Sequence, residues 1–196
     1  QAIIDAVKAG QINGEICAVI SNRPDAYGLT RAENAGIDTL VLDHKAFDSR
    51  EDYDAALMDK IDAFSPDLVV LAGFMRILTP SLVQNYLGRM LNIHPSLLPK
   101  YQGLNTHQRA LDAKDKEHGV SVHFVTEELD GGPVVLQAKV TIESDDTAQT
   151  LAQRVHQQEH IIYPLVVQWF CEKRLTMETD NAVLDGQVLP KQGATI

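Results

Sequence analysis

The 196-residue chain has only two cysteines, Cys17 and Cys171, far apart and in apolar surroundings, Ile16-Cys17-Ala18 and Phe170-Cys171. Two distant cysteines make no disulfide framework, and neither has the spacing of a metal-ligand pair. Both read as reduced thiols packed as small apolar residues, which fits a cytoplasmic protein. No apolar run approaches the length needed to cross a membrane. The opening residues, Gln1-Ala2-Ile3-Ile4-Asp5-Ala6, are neither a signal peptide nor a transit peptide. Positive charge is scarce: 17 Lys and Arg face 27 Asp and Glu, for a formal charge of −10. A general nucleic-acid binder needs a basic face, so no nucleic-acid partner is expected. A phosphorylated small substrate needs only local donors and stays open. Internal repeats, low-complexity segments and interdomain linkers are also absent.

What is there is ordinary globular material, 44% hydrophobic and 22% charged. A chain of this length fits one domain with a sizeable core, so residues 1–196 are expected to form a single unit. Ile3, Ile4 and Val7 share one helical face, and Gly10 marks that helix's end. Glu15 to Ser21 reads as a buried strand. Ala26 to Ala35 is a helix stopped by Gly36, and Leu40 to Leu42 a short strand. Tyr53, Leu57, Ile61 and Phe64 have helical spacing within Ser49 to Phe64. Asp67 to Ala72 is the strongest buried-strand signal in the chain, and Gly73 to Arg76 a loop after it. A helix over Pro80 to Tyr86 precedes a strand over Met90 to Ile93, and another helix covers Asn105 to Lys114. Val120 to Val125 alternates, and beyond the turn Asp130-Gly131-Gly132-Pro133 it has a partner strand in Val134 to Ile142. Thr147 to Phe170 is a long helix capped by Asp145 or Asp146, with Pro164 a kink point. The tail from Leu175 is made of short strand-like pieces with a turn at Asp185-Gly186. Strands alternating with helices imply an α/β fold. Its expected form is a mostly parallel twisted sheet, helices on both faces and an antiparallel edge toward the C-terminus.

In such a sheet the ligand crevice lies beyond the carboxyl ends of the strands. Asn92 and His94 stand at one such end, two residues apart and hence on one side of an extended backbone. Pro95 and Pro99 then turn the strand into a stiff loop. An amide can stabilise a developing oxyanion, and an imidazole can move a proton. The same pair also suits a structural role, with Asn capping a turn and His bonding to backbone. Asp130 is by default a turn aspartate. If the hairpin end folds onto the sheet's carboxyl edge, its carboxylate reaches His94 and favours the imidazolium. Met75, Ile77 and Leu78 read either as core or as an apolar wall for a flat heteroaromatic ligand. Arg50 suits a surface pair or a ligand carboxylate. Glu159 suits solvent or, facing the crevice, an ammonium or hydroxyls. The histidines at 44, 107, 118, 123, 156 and 160 have no zinc spacing, and no metal is expected.

Four blocks of this sequence resemble the folate-dependent formyltransferases: Leu91-Asn92-Ile93-His94-Pro95-Ser96-Leu97-Leu98-Pro99, Val70-Leu71-Ala72-Gly73-Phe74-Met75-Arg76-Ile77-Leu78, Glu128-Leu129-Asp130-Gly131-Gly132-Pro133 and Gln158-Glu159-His160. The likeness covers essentially the whole chain. It implies a metal-free transfer of the formyl group of 10-formyltetrahydrofolate to the amine of glycinamide ribonucleotide in purine synthesis. It also implies Asn92, His94 and Asp130 as the catalytic trio. The folate site it implies comprises Arg50, Met75, Arg76, Ile77, Leu78, Asn92, Thr126, Glu127, Glu128, Leu129 and Asp130. For the ribonucleotide it implies His156, Gln157, Gln158 and Glu159. The family begins with a strand and a glycine-rich loop that receives the substrate phosphate, whereas this chain opens inside the helix that would follow. The expectation is that the protein has this segment before Gln1. Two relatives compete: a formyltetrahydrofolate hydrolase, which carries an extra regulatory domain, and a methionyl-tRNA formyltransferase, which carries an extra C-terminal domain for tRNA. This length has room for neither, and the acidity disfavours tRNA. A non-catalytic folate-binding domain or an inactive fragment is the alternative of a different class.

Overall fold

Local signals set most element boundaries in the computed structural model, which describes residues 1–196. α1 (Ala2–Lys8) carries Ile4 and Ala6 into the core. β1 (Ala18–Ser21), α2 (Tyr27–Asn34) and β2 (Asp38–Val41) follow. α3 (Arg50–Asp62) starts at Ser49, whose hydroxyl accepts from Asp52 N at 3.0 Å and so satisfies a helix donor that has no partner within the helix. Next come β3 (Val69–Val70), α4 (Pro80–Asn85), β4 (Met90–His94) and α5 (Thr106–Asp112). β5 (Glu117–Phe124) and β6 (Val134–Thr141) are the long strands, and α6 (Ala148–Cys171) runs through Pro164 as one helix. The tail holds β7 (Leu175–Glu178), β8 (Asn181–Leu184), β9 (Gln187–Val188) and β10 (Ala194–Thr195). Between β8 and β9, Asp185 and Gly186 have φ of 52° and 78°, as a two-residue hairpin turn requires.

β1 pairs in parallel with β2, and β3 with β4. β4 then pairs antiparallel with β5, and β5 with β6, while β10 returns parallel to β6. The larger sheet therefore runs β10-β6-β5-β4-β3, and β7-β8-β9 form a separate antiparallel meander. This is the α/β architecture read from the sequence, with its parallel pairs early and its antiparallel edge late.

Strand alternation sends neighbouring side chains to opposite faces, and β4 shows both. Leu91 enters a cluster with Val120, Val122 and Phe124 of β5 and with Leu151, Val155 and Ile162 of α6. Met90 points the other way, into a cluster with Tyr53 and Leu57 of α3, Leu82 and Val83 of α4, and Tyr86. Helices thus cover both faces. Asn92 and His94 share the parity of Met90 and continue its face to the strand's carboxyl end. No helix is long and apolar enough to cross a membrane.

Four expectations need correction. Asp67 to Ala72 contributes only Val69–Val70 as strand, and both are half-buried, because β3 pairs on one edge alone, with β4. β1 likewise pairs only with β2, and its ladder starts at Ala18, so Glu15 to Cys17 lie outside it and β1 is half-buried. Cys17 is accordingly exposed rather than packed, whereas Cys171, partly buried, packs against the core as expected. The cap of α6 is Thr147, in a reciprocal pair with Thr150, not Asp145 or Asp146. Asp146 instead receives Arg154, and its carboxyl is held well below the usual range, chiefly by that hydrogen bond.

Candidate functional site

The antiparallel register of β4 and β5 sets Asn92 opposite His123 and His94 opposite Ser121. Asn92 Nδ2 lies 3.3 Å from His123 Nε2, and His123 Nδ1 lies 3.0 Å from the Phe124 carbonyl. A carbonyl only accepts, so Nδ1 carries the proton and Nε2 offers its lone pair to the amide. Burial lowers the His123 pKa and keeps the ring neutral, which agrees with that tautomer. The Asn92 amide is thereby oriented with its NH2 inward, and its second N–H is left available. The β5–β6 register shifts between Val122 and His123, a local irregularity of the kind that re-aims side chains beside active sites.

His94 is buried, and its Nε2 donates to the Tyr101 carbonyl at 2.8 Å. Its Nδ1 faces Asp130 Oδ2 at 3.5 Å, and His123 Nε2 stands 4.0 Å from Asp130 Oδ1. Asp130 adopts φ of 50°, in the left-handed region that Asp tolerates better than most residues. Its carboxylate also accepts from Gly103 N at 2.9 Å, and its carbonyl from Gln102 Nε2 at 3.2 Å. Hence the hairpin end does fold onto the sheet's carboxyl edge, and Asn92, His94 and Asp130 converge with His123 as the hub between amide and carboxylate.

The remaining sequence-predicted residues divide. On α6, His156 Nδ1 and Glu159 Oε2 are 3.0 Å apart, one helical turn from each other. Burial pushes the Glu159 carboxyl pKa up, opposed by His156 and, more weakly, by His94. Gln157 is exposed and Gln158 half-buried, and the side chain of neither joins this pair. Met75 and Ile77 are 76% and 58% exposed, a large apolar surface beyond the end of β3. Arg76 lies over the Tyr53 ring at 4.4 Å, and Leu78 packs against the α3–α4 cluster. No backbone–backbone hydrogen bond is made anywhere in residues 72–78, so this wall presents free peptide groups. Thr126 to Leu129 lead into Asp130, with Glu127 held by Gln84 Nε2 at 2.7 Å and Leu129 54% exposed. Arg50, first residue of α3, is exposed.

Sequence reasoning missed His123 and the Tyr101-Gln102-Gly103 segment. The alternation of Val120 to Val125 already places Ser121 and His123 on one face. What was lacking was β4 as the neighbour of that face. Nothing in residue type reveals Tyr101 and Gly103, because they act through a carbonyl and an N–H. Behind them, Tyr101 Oη donates to Asp115 Oδ2 at 2.6 Å, and His107 Nδ1 lies 3.0 Å from His118 Nε2. Burial, with His107 adding to it, pushes the His118 pKa down to about 4. Histidine, cysteine, aspartate and glutamate side chains nowhere converge in threes that could hold a metal ion.

Residues 1–167 match the family described as Formyl transferase. The chain is 60% identical to phosphoribosylglycinamide formyltransferase of Escherichia coli (strain K12), over 98% of this chain and 91% of that protein. It is 52% identical to the Haemophilus influenzae protein of the same name, with the same coverage. Among solved structures, phosphoribosylglycinamide formyltransferase from Coxiella burnetii, in complex with CHES, superposes with a TM-score of 0.95. It shares 54% identity, over 100% of this chain and 92% of that one.

Proposed function

The chain belongs to the formyl transferase family, and on that premise we propose that it transfers the formyl group of 10-formyltetrahydrofolate to the amine of glycinamide ribonucleotide, as a phosphoribosylglycinamide formyltransferase of purine biosynthesis. The observation that carries the mechanism is the convergence of Asn92, His94 and Asp130 at the end of β4.

The substrate amine attacks the formyl carbon, and the carbonyl electron pair moves onto oxygen. The free N–H of Asn92 donates to that oxygen, and so does His94 Nε2–H as it leaves the Tyr101 carbonyl. Such a donor contributes roughly 3 kcal/mol in the transition state. Asp130 orients His94 through Nδ1 and receives the proton that the attacking nitrogen sheds. The C–N10 bond then breaks, N10 takes up the proton that Asp130 received, and the carbonyl re-forms on the product amide. These steps draw on side chains alone and use no metal. The exposed Met75 and Ile77 side chains and the free peptide groups of residues 72–78 suit the flat face and polar edge of a pterin. Arg50 meets the carboxylates of the folate tail, while Thr126 to Asp130 close the opposite side. Glu159, with His156, meets the ribonucleotide's hydroxyls and ammonium, and Gln157 and Gln158 flank them. Residues 1–196 act as one formyltransferase domain, and the two free thiols suit a reducing, cytoplasmic setting.

The test is a steady-state assay of folate deformylation with three acceptors: glycinamide ribonucleotide, water and methionyl-tRNA. Transfer that depends on the ribonucleotide is expected. Equal turnover without it would identify a hydrolase, and binding of folate without turnover would identify a non-catalytic domain.

A further inference from the structure

The segment from Ala72 to Leu78 has no regular structure and no internal backbone hydrogen bonds, so its shape is imposed from outside. At its start, Leu71 N donates to the Leu91 carbonyl at 2.8 Å, and Tyr163 Oη donates to the Leu71 carbonyl at 2.6 Å. In its middle, the Arg76 guanidinium rests on Tyr53. At its end, Thr79 N donates to Asp54 Oδ2 at 2.8 Å. Two of these four anchors, Tyr53 and Asp54, are consecutive residues of α3.

Asp54 is 1% exposed, an uncommon place for a carboxylate. Its second oxygen, Oδ1, is buried without a hydrogen-bond partner, and so is Arg76 Nε. A buried carboxylate with one backbone partner costs the fold more than an apolar residue of its size would. The fold gains a satisfied Thr79 N–H from it and leaves Oδ1 unpaired. Asp54 makes its one bond to the residue at which the wall ends and α4 begins, and it follows Tyr53, the ring on which Arg76 rests. We infer that Asp54 is a positioning residue for formyl-folate binding, holding the 72–79 segment in the shape that the pterin meets. Asp54 acts through the Thr79 N–H.

The inference rests on reading Met75 to Leu78 as the folate wall, and the experiment separates the two. Asp54→Ala and Asp54→Asn are compared with the unsubstituted protein by amide hydrogen exchange without ligand and by steady-state kinetics. In Asp54→Ala, exchange of residues 72–79 is expected to quicken. KM for the formyl folate should rise about tenfold, with kcat at saturating folate and KM for the ribonucleotide within about twofold, the signature of lost ground-state binding. Asp54→Asn keeps the volume and an acceptor for Thr79 N, and should recover to within about threefold of the original KM. A lower melting temperature with all kinetic constants and exchange in 72–79 unchanged would reduce Asp54 to a structural residue and overturn the inference. Quickened exchange with a raised KM for the ribonucleotide alone would support the positioning and overturn the folate assignment. If Asp54→Ala does not fold, a tenfold KM rise in Asp54→Asn with ordinary exchange in 72–79 overturns the inference by itself.

Discussion

Tyr163→Phe removes one oxygen from the middle of α6 and is expected to loosen the sheet where it matters most. The buried hydroxyl donates to the Leu71 carbonyl at 2.6 Å and lies 3.1 Å from the Leu91 carbonyl, clasping the end of β3 to the start of β4. Leu91 O keeps its bond from Leu71 N, so only Leu71 O loses its partner. One lost hydrogen bond and one half-buried orphan carbonyl sum to about 1–2 kcal/mol, since the phenyl ring fills the same space. For a chain of this length each kcal/mol shifts the midpoint by roughly 2–4 °C, so Tm should fall by about 2–8 °C. Calorimetry and urea titration check this, and the urea midpoint should move with its slope unchanged. A Tm within about 1 °C of the original would show that the clasp contributes nothing. A fall beyond about 10 °C would mean that the ring itself repacks.

Asn92→Ala, His94→Ala and Asp130→Ala should each lower kcat by about 10²-fold or more with the fold intact by circular dichroism. Near-normal turnover in any one refutes the role given to that residue. Arg50→Ala, at an exposed position, should raise KM for the formyl folate only about twofold, or ~0.5 kcal/mol. Complete loss of folate binding would contradict its peripheral place. His118 has an ordinary pKa of 6.5 and a folded value of about 4. Between the two the unfolded chain binds the proton and the folded one does not, so stability should fall as pH drops through that window and be indifferent to this group above it. Thermal melts of the original and His118→Gln across this range check the sign, and identical pH dependence would refute it.

Much of the fold was legible because period and punctuation agreed. Tyr53, Leu57 and Ile61 mark α3, Pro80 opens α4, and Asp185-Gly186 makes its turn. β1 and β3 were overread because an apolar run reports the wish to be buried, not whether both edges find partners. The cap of α6 was misassigned because Asp145, Asp146 and Thr147 all have capping chemistry, and Arg154 claims Asp146 from a turn further along the helix. At the site, Asn92 and His94 were visible from their spacing. The groups that hold the trio were not, since His123 reaches Asn92 through strand register and Gly103 holds Asp130 through a peptide N–H, which every residue but proline carries.

Asn92 and His94 meet His123 and Ser121 only across one ladder, so a slip of a single residue between β4 and β5 would turn both away. A refolding chain can regain its helices and its compactness and still turn over nothing until that ladder is in register. Recovery of formyl transfer therefore timestamps the closing of a contact between residues 31 positions apart, and an ordinary enzyme assay becomes a stopwatch for the slow, non-local half of folding.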